Sequence, residues 1–392
     1  MPILLKNITS RLSLILVCTF LLFALQGFSV ELNLEGTVIS PDGQPLGDVE
    51  VMLFPGTGGA GSAALSSMNT RSDGIFSFVV SQGRSYLLEV KGMEGSGRVF
   101  VPADHLQGNL KITYPVVENI VLLHTNDQHF DLNHTRELRT AVQQFNQKFH
   151  DVFLLNAGDI FVRHPHRWIV NGEPMPGVSW YESRAGEMID TMNALGYDVL
   201  TLGNHELDYI EPYTGNALAK ARFPILVANY AFNVPHFPSV KPYISFTTST
   251  RRKLSIIGLS TWSAPKEGIR EIGFKNTLEK YLPLRDSADV LVALTHIGLA
   301  GDSLLASHYP EFDVIVGGHT HDLLENAREV NSVLIAQAGG CPHFVSDSHT
   351  THLGIIVLSL ENGRLKEKRG WVVDPVVFLK EQEEELETPN WR

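Results

Sequence analysis

Two imidazoles two residues apart, His319 and His321, close the run Gly317-Gly318-His319-Thr320-His321, directly after the apolar stretch Val314-Ile315-Val316. Neutral imidazole is the commonest metal-binding side chain, and extended backbone, with its period of two, directs both rings to one side. The two preceding glycines allow a sharp turn and the close approach of other groups. A lone His-x-His occurs in ordinary loops, so the pair gains weight only from four segments upstream. Asn126-Asp127-Gln128-His129 follows the apolar run 120–123, and the same period puts Asp127 and His129 on one side. Gly158-Asp159 follows Leu154-Leu155; a carboxylate there can bridge two cations, one through each oxygen. Gly203-Asn204-His205-Glu206-Leu207-Asp208 follows the run 200–202. Asn204 offers a carbonyl oxygen, and His205 is offset in another direction, free to act on substrate. Asp208 falls three residues on, where one helical turn could bring it beside His205 to fix its tautomer. The last segment ends at His296, after Ala293-Leu294-Thr295.

Each residue type alone fits a turn, a helix cap or a satisfied core group. Jointly, five segments at strand ends supply the ligands Asp127, His129, Asp159, Asn204, His296, His319 and His321, with His205 left over. That set points to a centre of two divalent metal ions. With only Cys18 and Cys341 in the chain, a thiolate zinc site is excluded. Mixed His, Asp and Asn ligation suits zinc, manganese or iron(II) and does not choose among them.

In order and type, Asp127-x-His129, Gly158-Asp159, Gly203-Asn204-His205-Glu206, His296 and Gly318-His319-x-His321 resemble the calcineurin-like metallophosphoesterases. The stretches 123–129, 192–198 and 203–208 resemble the exported 5'-nucleotidase branch, and the likeness runs from about 116 to 373. It implies an α/β (α+β) catalytic domain over 116–375, a four-layer αββα metallophosphoesterase sandwich. It implies that Asp127, His129 and His321 hold one ion, that Asp159 bridges, and that Asn204, His296 and His319 hold the other. His205 would stabilise the phosphoryl transition state and protonate the leaving oxygen, with Asp208 holding it. Two cations roughly 3.5–4 Å apart would lower the pKa of a shared water and neutralise charge spreading over the phosphoryl oxygens. No phospho-enzyme is expected.

The expected partner is a small-molecule phosphoester, a nucleotide in the first place. Diester or sulfur-ester hydrolysis on the same site is an alternative, as is a non-catalytic surface-binding protein on a phosphatase scaffold. Full-length 5'-nucleotidases continue into a C-terminal domain whose aromatic pair clamps the base. That clamp is expected to be absent here, which loosens nucleotide specificity. Phe130 stands where the family usually has glycine and is expected to crowd the site mouth. Arg163, His164, His166 and Arg167 read as a solvated loop. Cys341, His343, His349 and His352 read as shaping the loop after the histidine pair.

Placing such segments together takes a sheet. Apolar strands at 120–123, 152–155, 198–202, 225–227, 254–257 and 290–294 alternate with helical stretches at 136–149, 183–195 and 215–222, an α/β rhythm. Residues 30–115 read differently: strands at 32–39, 49–53, 75–80 and 86–90 separated by Pro41-Asp42-Gly43 and Ser72-Asp73-Gly74 turns. This all-β stretch is similar to carboxypeptidase regulatory-like sandwiches and carries no site chemistry; a structural or carbohydrate-facing role follows by analogy. Residues 1–29 read as a signal peptide, with Lys6 and Arg11 ahead of the apolar run 12–25, and an uncleaved anchor is the alternative. Export to the periplasm or medium, with cell-surface or envelope association, is the expected setting. Export would leave Cys341 alone, without an intramolecular disulfide. Residues 376–392 read as a flexible acidic tail. The net charge of -12 argues against nucleic acid as a partner.

Overall fold

The structure is a computed structural model that describes residues 30–57, 62–92, 95–162, 169–170, 173–174, 177–208, 214–235, 237–261, 267–340 and 351–380. The signal at 1–29, the loop residues Arg163, His164, His166 and Arg167, Cys341, His343, His349 and the tail beyond 380 lie outside the described residues. The chain divides into two compact units, residues 1–93 with 99–114 and residues 94–98 with 115–392.

The first unit is built of strands: β1 (Glu31–Ile39), β2 (Glu50–Pro55), β3 (Ser66–Asn69), β4 (Ile75–Ser81), β5 (Tyr86–Gly92), the end of β6 (Gly95–Val101), whose residues 95–98 count with the second unit, and β7 (Asn109–Thr113). They form a three-stranded sheet in the order β4-β1-β7 and a four-stranded sheet in the order β3-β2-β5-β6. Alternation decides which side is buried: in β4, Phe76, Phe78 and Val80 point inward while Ser77 and Val79 face solvent.

The second unit opens with β8 (Val117–Thr125), α1 (Thr135–Lys148), β9 (Val152–Asn156), the short pair β10 (Ile169–Val170) and β11 (Glu173–Pro174), and α2 (Gly177–Leu195). Next come β12 (Val199–Thr201), α3 (Asn204–Asp208), α4 (Gly215–Leu218), β13 (Ile225–Leu226), β14 (Tyr230–Phe232), β15 (Val240–Lys241) and β16 (Tyr243–Thr247). After them follow β17 (Lys253–Ser260), β18 (Ile269–Glu271), α5 (Phe274–Tyr281), β19 (Val290–His296), α6 (Gly298–His308) and β20 (Val314–Val316). The unit closes with β21 (Arg328–Val330), β22 (Val333–Ala336), β23 (Leu353–Glu361) and β24 (Arg364–Val373).

Two large sheets result, β15-β13-β12-β9-β8-β23-β24 and β16-β17-β19-β20-β22-β21. Strands β8, β9, β12 and β13 run parallel in the first, and β17, β19, β20 and β22 in the second. Parallel strands covered on both faces are apolar throughout. In β19, Val290, Val292 and Leu294 fill the core between the sheets, while Leu291 and Ala293 turn to the opposite side. In β8, Ile120 and Leu122 face that shared core while Val121 and Leu123 face the other way. Helix α1 covers that outer face with Leu138, Ala141, Val142 and Phe145, the i, i+3, i+4, i+7 spacing of an amphipathic helix. Helix α2 joins it through Ala185, Met188, Ile189 and Met192. On the far side, Leu278 of α5 with Leu305 and Ala306 of α6 cover the second sheet. The layers are therefore helix, sheet, sheet, helix, the α+β sandwich that the resemblance implied. Among the described residues, no helix is long and apolar enough to cross a membrane.

His124, late in β8, is wholly buried, and neither ring nitrogen has a hydrogen-bond partner. It faces Gly354 of β23, where any Cβ would run into the imidazole. Burial lowers its pKa from 6.5 to about 3. The ring thus stays neutral in the fold while an unfolded chain protonates it near 6.5. Stability is intact above that pH and falls by about 1.4 kcal/mol per pH unit below it, until the folded pKa is reached. Denaturant titrations at pH 7.0 and 5.0 should therefore show His124→Leu losing about 2 kcal/mol less than the wild type over that interval.

Candidate metal centre

The five ligand-bearing segments leave the C-terminal ends of β8, β9, β12, β19 and β20, the end where open parallel sheets place their ligands. The backbone there is not extended, as the period-two argument assumed. Asp127, His129, Asp159, His319 and His321 have φ of 50°, 48°, 53°, 88° and 57°, all left-handed. Such a residue breaks the pleat, so His319 and His321 do not share a target. His321 joins Asp127 and His129, whereas His319 joins Asp159 and His296; within each group one ligand atom per residue lies within 4.8 Å of the others. Backbone bonds past the strand ends hold these turns. Asp127 N–H donates to Gly158 O (2.9 Å), His129 N–H to Asp159 O (3.0 Å) and Phe130 N–H to Ile160 O (2.9 Å).

His129 donates from Nδ1 to Phe161 O (3.0 Å), and His296 from Nδ1 to Ala157 O (2.6 Å). In that tautomer each keeps a lone pair on Nε2, turned into the site. His129 Nε2 lies 3.0 Å from His321 Nε2, and His321 Nε2 lies 3.5 Å from Asp127 Oδ1. His296 Nε2, fully buried and without hydrogen-bond geometry to any group, lies 3.1 Å from Asp159 Oδ2 and 3.9 Å from Asp127 Oδ1. His319 Nδ1 meets Asn204 Oδ1 at 2.8 Å. His205 Nε2 stands 3.7 Å from Asp159 Oδ2, and its backbone N–H donates to Asp159 Oδ1 at 2.9 Å.

The electrostatics favour positive charge at this point. Burial opposes a charged His296, yet Asp159, through its charge and contact, and Asp127 push it up to about 10. Burial would raise Asp159, but His296 above all, with His205 and His129, holds it below the usual carboxylate range. Asp127, where burial dominates, rises to about 6. His319 is lowered by burial and by the charge of His296. A buried imidazole nitrogen aimed at carboxylates without a hydrogen bond, in a field that draws cations, fits divalent metal; oxygen and nitrogen donors without sulfur fit zinc, manganese or iron.

All seven expected ligands and His205 thus converge. Asp208 ends α3, and its side chain lies outside the described residues. Phe130 does not crowd the mouth. Its left-handed backbone (φ 67°) turns the ring into the core, fully buried, with ring centroids 5.4 Å from Phe161 and 5.1 Å from Tyr181. Sequence reasoning missed the groups behind the ligands. Asn126 donates from Nδ2 to Asp127 Oδ2 (2.6 Å) and to Gly339 O, and its Oδ1 accepts Ala338 N–H at 2.8 Å. Asn156 Oδ1 accepts Gly158 N–H at 2.9 Å. Glu206 stood in a quoted motif without a role. Short polar residues beside a ligand carry no periodicity, so nothing marked the two asparagines.

The chain belongs to the calcineurin-like phosphoesterase family, whose profile matches residues 120–323. Among curated relatives, it is 26% identical over 267 residues to the trifunctional nucleotide phosphoesterase protein YfkN of Bacillus subtilis, covering 56% of this chain and 17% of that one. It is 29% identical over 235 residues to the 5'-nucleotidase of Rattus norvegicus, covering 52% of this chain and 38% of that one. The chain thus spans well under two thirds of the length of either. The structure of the sulfate thiohydrolase SoxB of Thermus thermophilus shares the fold, with a TM-score of 0.52 at 15% identity, covering 67% of this chain and 57% of that one.

Gly203 carries a testable steric constraint. A Cβ there would fall onto Asp159 Oδ1 and come within 2.6 Å of Asp159 N. Gly203→Ala should destabilise the protein by about 1–3 kcal/mol, the usual range for overpacking, and lower its bound metal, as read by denaturant unfolding and elemental analysis.

Proposed function

We propose that this chain is a metal-dependent phosphoric ester hydrolase that acts on a small phosphoester, with a nucleotide as its first candidate substrate. The observation that carries this reading is the meeting of both histidine groups at one buried carboxylate: Asp159 lies against His296 and His205, while Asp127, His129 and His321 gather beside it. Asp127, His129 and His321 would hold one divalent cation, and Asn204, His296 and His319 the other, with Asp159 common to both. Such cations, when bound, activate water as a nucleophile and neutralise charge on phosphoryl oxygens.

The remaining work falls to the chain. The Nδ1–H bonds of His129 and His296 to backbone carbonyls keep their tautomers and aim their Nε2 atoms. His205, 7% exposed at the site wall, presents Nε2 towards the cluster and delivers a proton to the departing oxygen. The family resemblance supports Asp208, at the end of the same short helix, as the residue that would hold the other ring nitrogen. The likeness to the 2',3'-cyclic-nucleotide 2'-phosphodiesterase/3'-nucleotidase of Haemophilus influenzae, 25% identical over 264 residues and covering 60% of this chain and 39% of that one, supports a second reading, diester hydrolysis on the same site. The basic and apolar pattern of residues 1–29 supports an exported setting.

Elemental analysis of the purified full chain should find two divalent ions per molecule, and p-nitrophenyl phosphate should be hydrolysed only with metal present. His205→Ala should retain both ions and lose roughly 10²–10⁴-fold in kcat, whereas Asp159→Asn should lose ions and rate together. Full activity in His205→Ala, or unchanged metal content in Asp159→Asn, contradicts these roles. Bis-p-nitrophenyl phosphate as the better substrate favours the diesterase reading.

A further inference from the structure

Glu206 follows His205 in α3 and is completely buried. Both carboxylate oxygens are turned to backbone. Oε2 accepts the N–H of Asp159 at 2.9 Å and that of Gly203 at 2.8 Å, and Oε1 accepts the N–H of Phe161 at 3.0 Å. These donors come from two separate connections. Asp159 and Phe161 follow β9, Gly203 follows β12, and the parallel pairing of Val199 with Leu155 and Leu200 with Asn156 brings the two strand ends side by side. A return bond closes the arrangement, since Asp159 Oδ1 accepts His205 N–H at 2.9 Å. Each loop therefore holds the other through a carboxylate, and only glycine at 203 lets them come so near.

We propose that Glu206 is the positioning residue of the centre: its carboxylate, by binding three N–H groups from two loops, sets the distance between Asp159 and the turn that carries Asn204 and His205. Both Glu206 oxygens are engaged by backbone amides, so its part is to hold the two loops rather than to offer a free donor atom. The turn at Asp159 is left-handed (φ 53°) and follows Gly158 at φ 90°, a conformation that needs outside support. Hydrogen bonds from three amides to the Glu206 carboxyl group supply it whether or not a cation is bound. This inference rests on the proposed metal reading for the roles of Asp159 and Asn204, but the hydrogen-bond arrangement stands without it.

The test is Glu206→Gln in the full chain. The amide keeps one acceptor oxygen and turns an N–H₂ group towards backbone N–H. Metal affinity, measured by competition with a chromogenic zinc chelator, should weaken 10–100-fold, the usual effect of losing a group that orients a ligand. The rate constant kcat should fall with KM nearly unchanged. A control of purely structural kind is Leu278→Ala, buried under the far helices; it should lower thermal stability yet leave the zinc affinity within about twofold. Hydrogen exchange on the wild type stripped of metal gives an independent arm: the amides of Asp159, Phe161 and Gly203 should be protected, and free exchange at all three overturns the proposal even if Glu206→Gln does not fold. Wild-type zinc affinity in Glu206→Gln, or equal weakening in Leu278→Ala, also overturns it. A wild type that binds no metal and turns over no phosphoester defeats the hydrolase reading instead, so the two failures are distinguishable.

Discussion

Three carboxylates in this protein are sealed from water within a few residues' span in space: Asp127 and Glu206 at 0% exposure and Asp159 at 2%. An isolated carboxylate in a protein interior is prohibitively unfavourable unless it is paired or hydrogen-bonded. That constraint shapes the loops around it. Asp127 accepts the backbone N–H of His319 at both oxygens (3.1 and 2.9 Å), Asp159 accepts that of His205, and Glu206 accepts three more. Each anion is thus tied to a different connection from its own. Asp159 and Asp127 in addition lie close to imidazoles, His296 Nε2 at 3.1 Å from Asp159 Oδ2 and His321 Nε2 at 3.5 Å from Asp127 Oδ1, and there the histidines gather.

The sheets explain why those connections can meet. Strands β8, β9 and β12 are parallel neighbours in one sheet, and β19 and β20 in the other, so five strand ends open in two adjacent rows. The apolar core between the sheets, with Leu122, Leu155, Leu294 and Val316 near those ends, keeps the rows in contact. Behind the second row lies another buried acid. Asp302 of α6 accepts Thr295 Oγ1–H at 2.6 Å and Gln337 Nε2–H at 2.7 Å, and its carboxyl is pushed up to about 7 by burial. It thereby links β19, one residue before His296, to the segment after β22, and lies directly behind Gly317, where a Cβ would collide with it. The same device, a buried acid joining two strand ends, serves both sheets.

The gathering of the candidate residues was legible because its signal is chemical. Seven ligand types in fixed order after apolar runs survive any uncertainty about backbone, and all seven converge. The backbone was not legible. His319 and His321 were expected on one side of an extended chain, yet left-handed turns send them to different partners. Phe130 was expected at the mouth because the resembled family usually has glycine there, yet the same kind of turn drives it into an aromatic core. Helix α6 went unread because Gly298-Leu299-Ala300-Gly301 offers poor helix propensity and no clean apolar stripe. Helix α2 starts two turns before its apolar period becomes visible. The antiparallel pair β23 and β24 lay inside the expected domain bounds of 116–375 but was not read as strands; the first half of β24 is mostly basic and carries no apolar period.

Strain and function coincide in a way that sequence pattern cannot reach. Of the twelve described non-glycine residues with positive φ, Asp127, His129, Phe130, Asp159, His319 and His321 lie in the ligand loops. Each such conformation costs on the order of 1–3 kcal/mol and persists only when its surroundings over-determine it. Here the surroundings are backbone ladders carried past the strand ends, Glu206 beneath Asp159, and Asn126 joining Asp127 to Gly339. A carboxylate held in such a turn would have little freedom left to lose on binding the proposed cation. The energy stored in six unfavourable torsions is therefore an entropy removed in advance, and the buried acids that seem costly to the fold are what keep it stored.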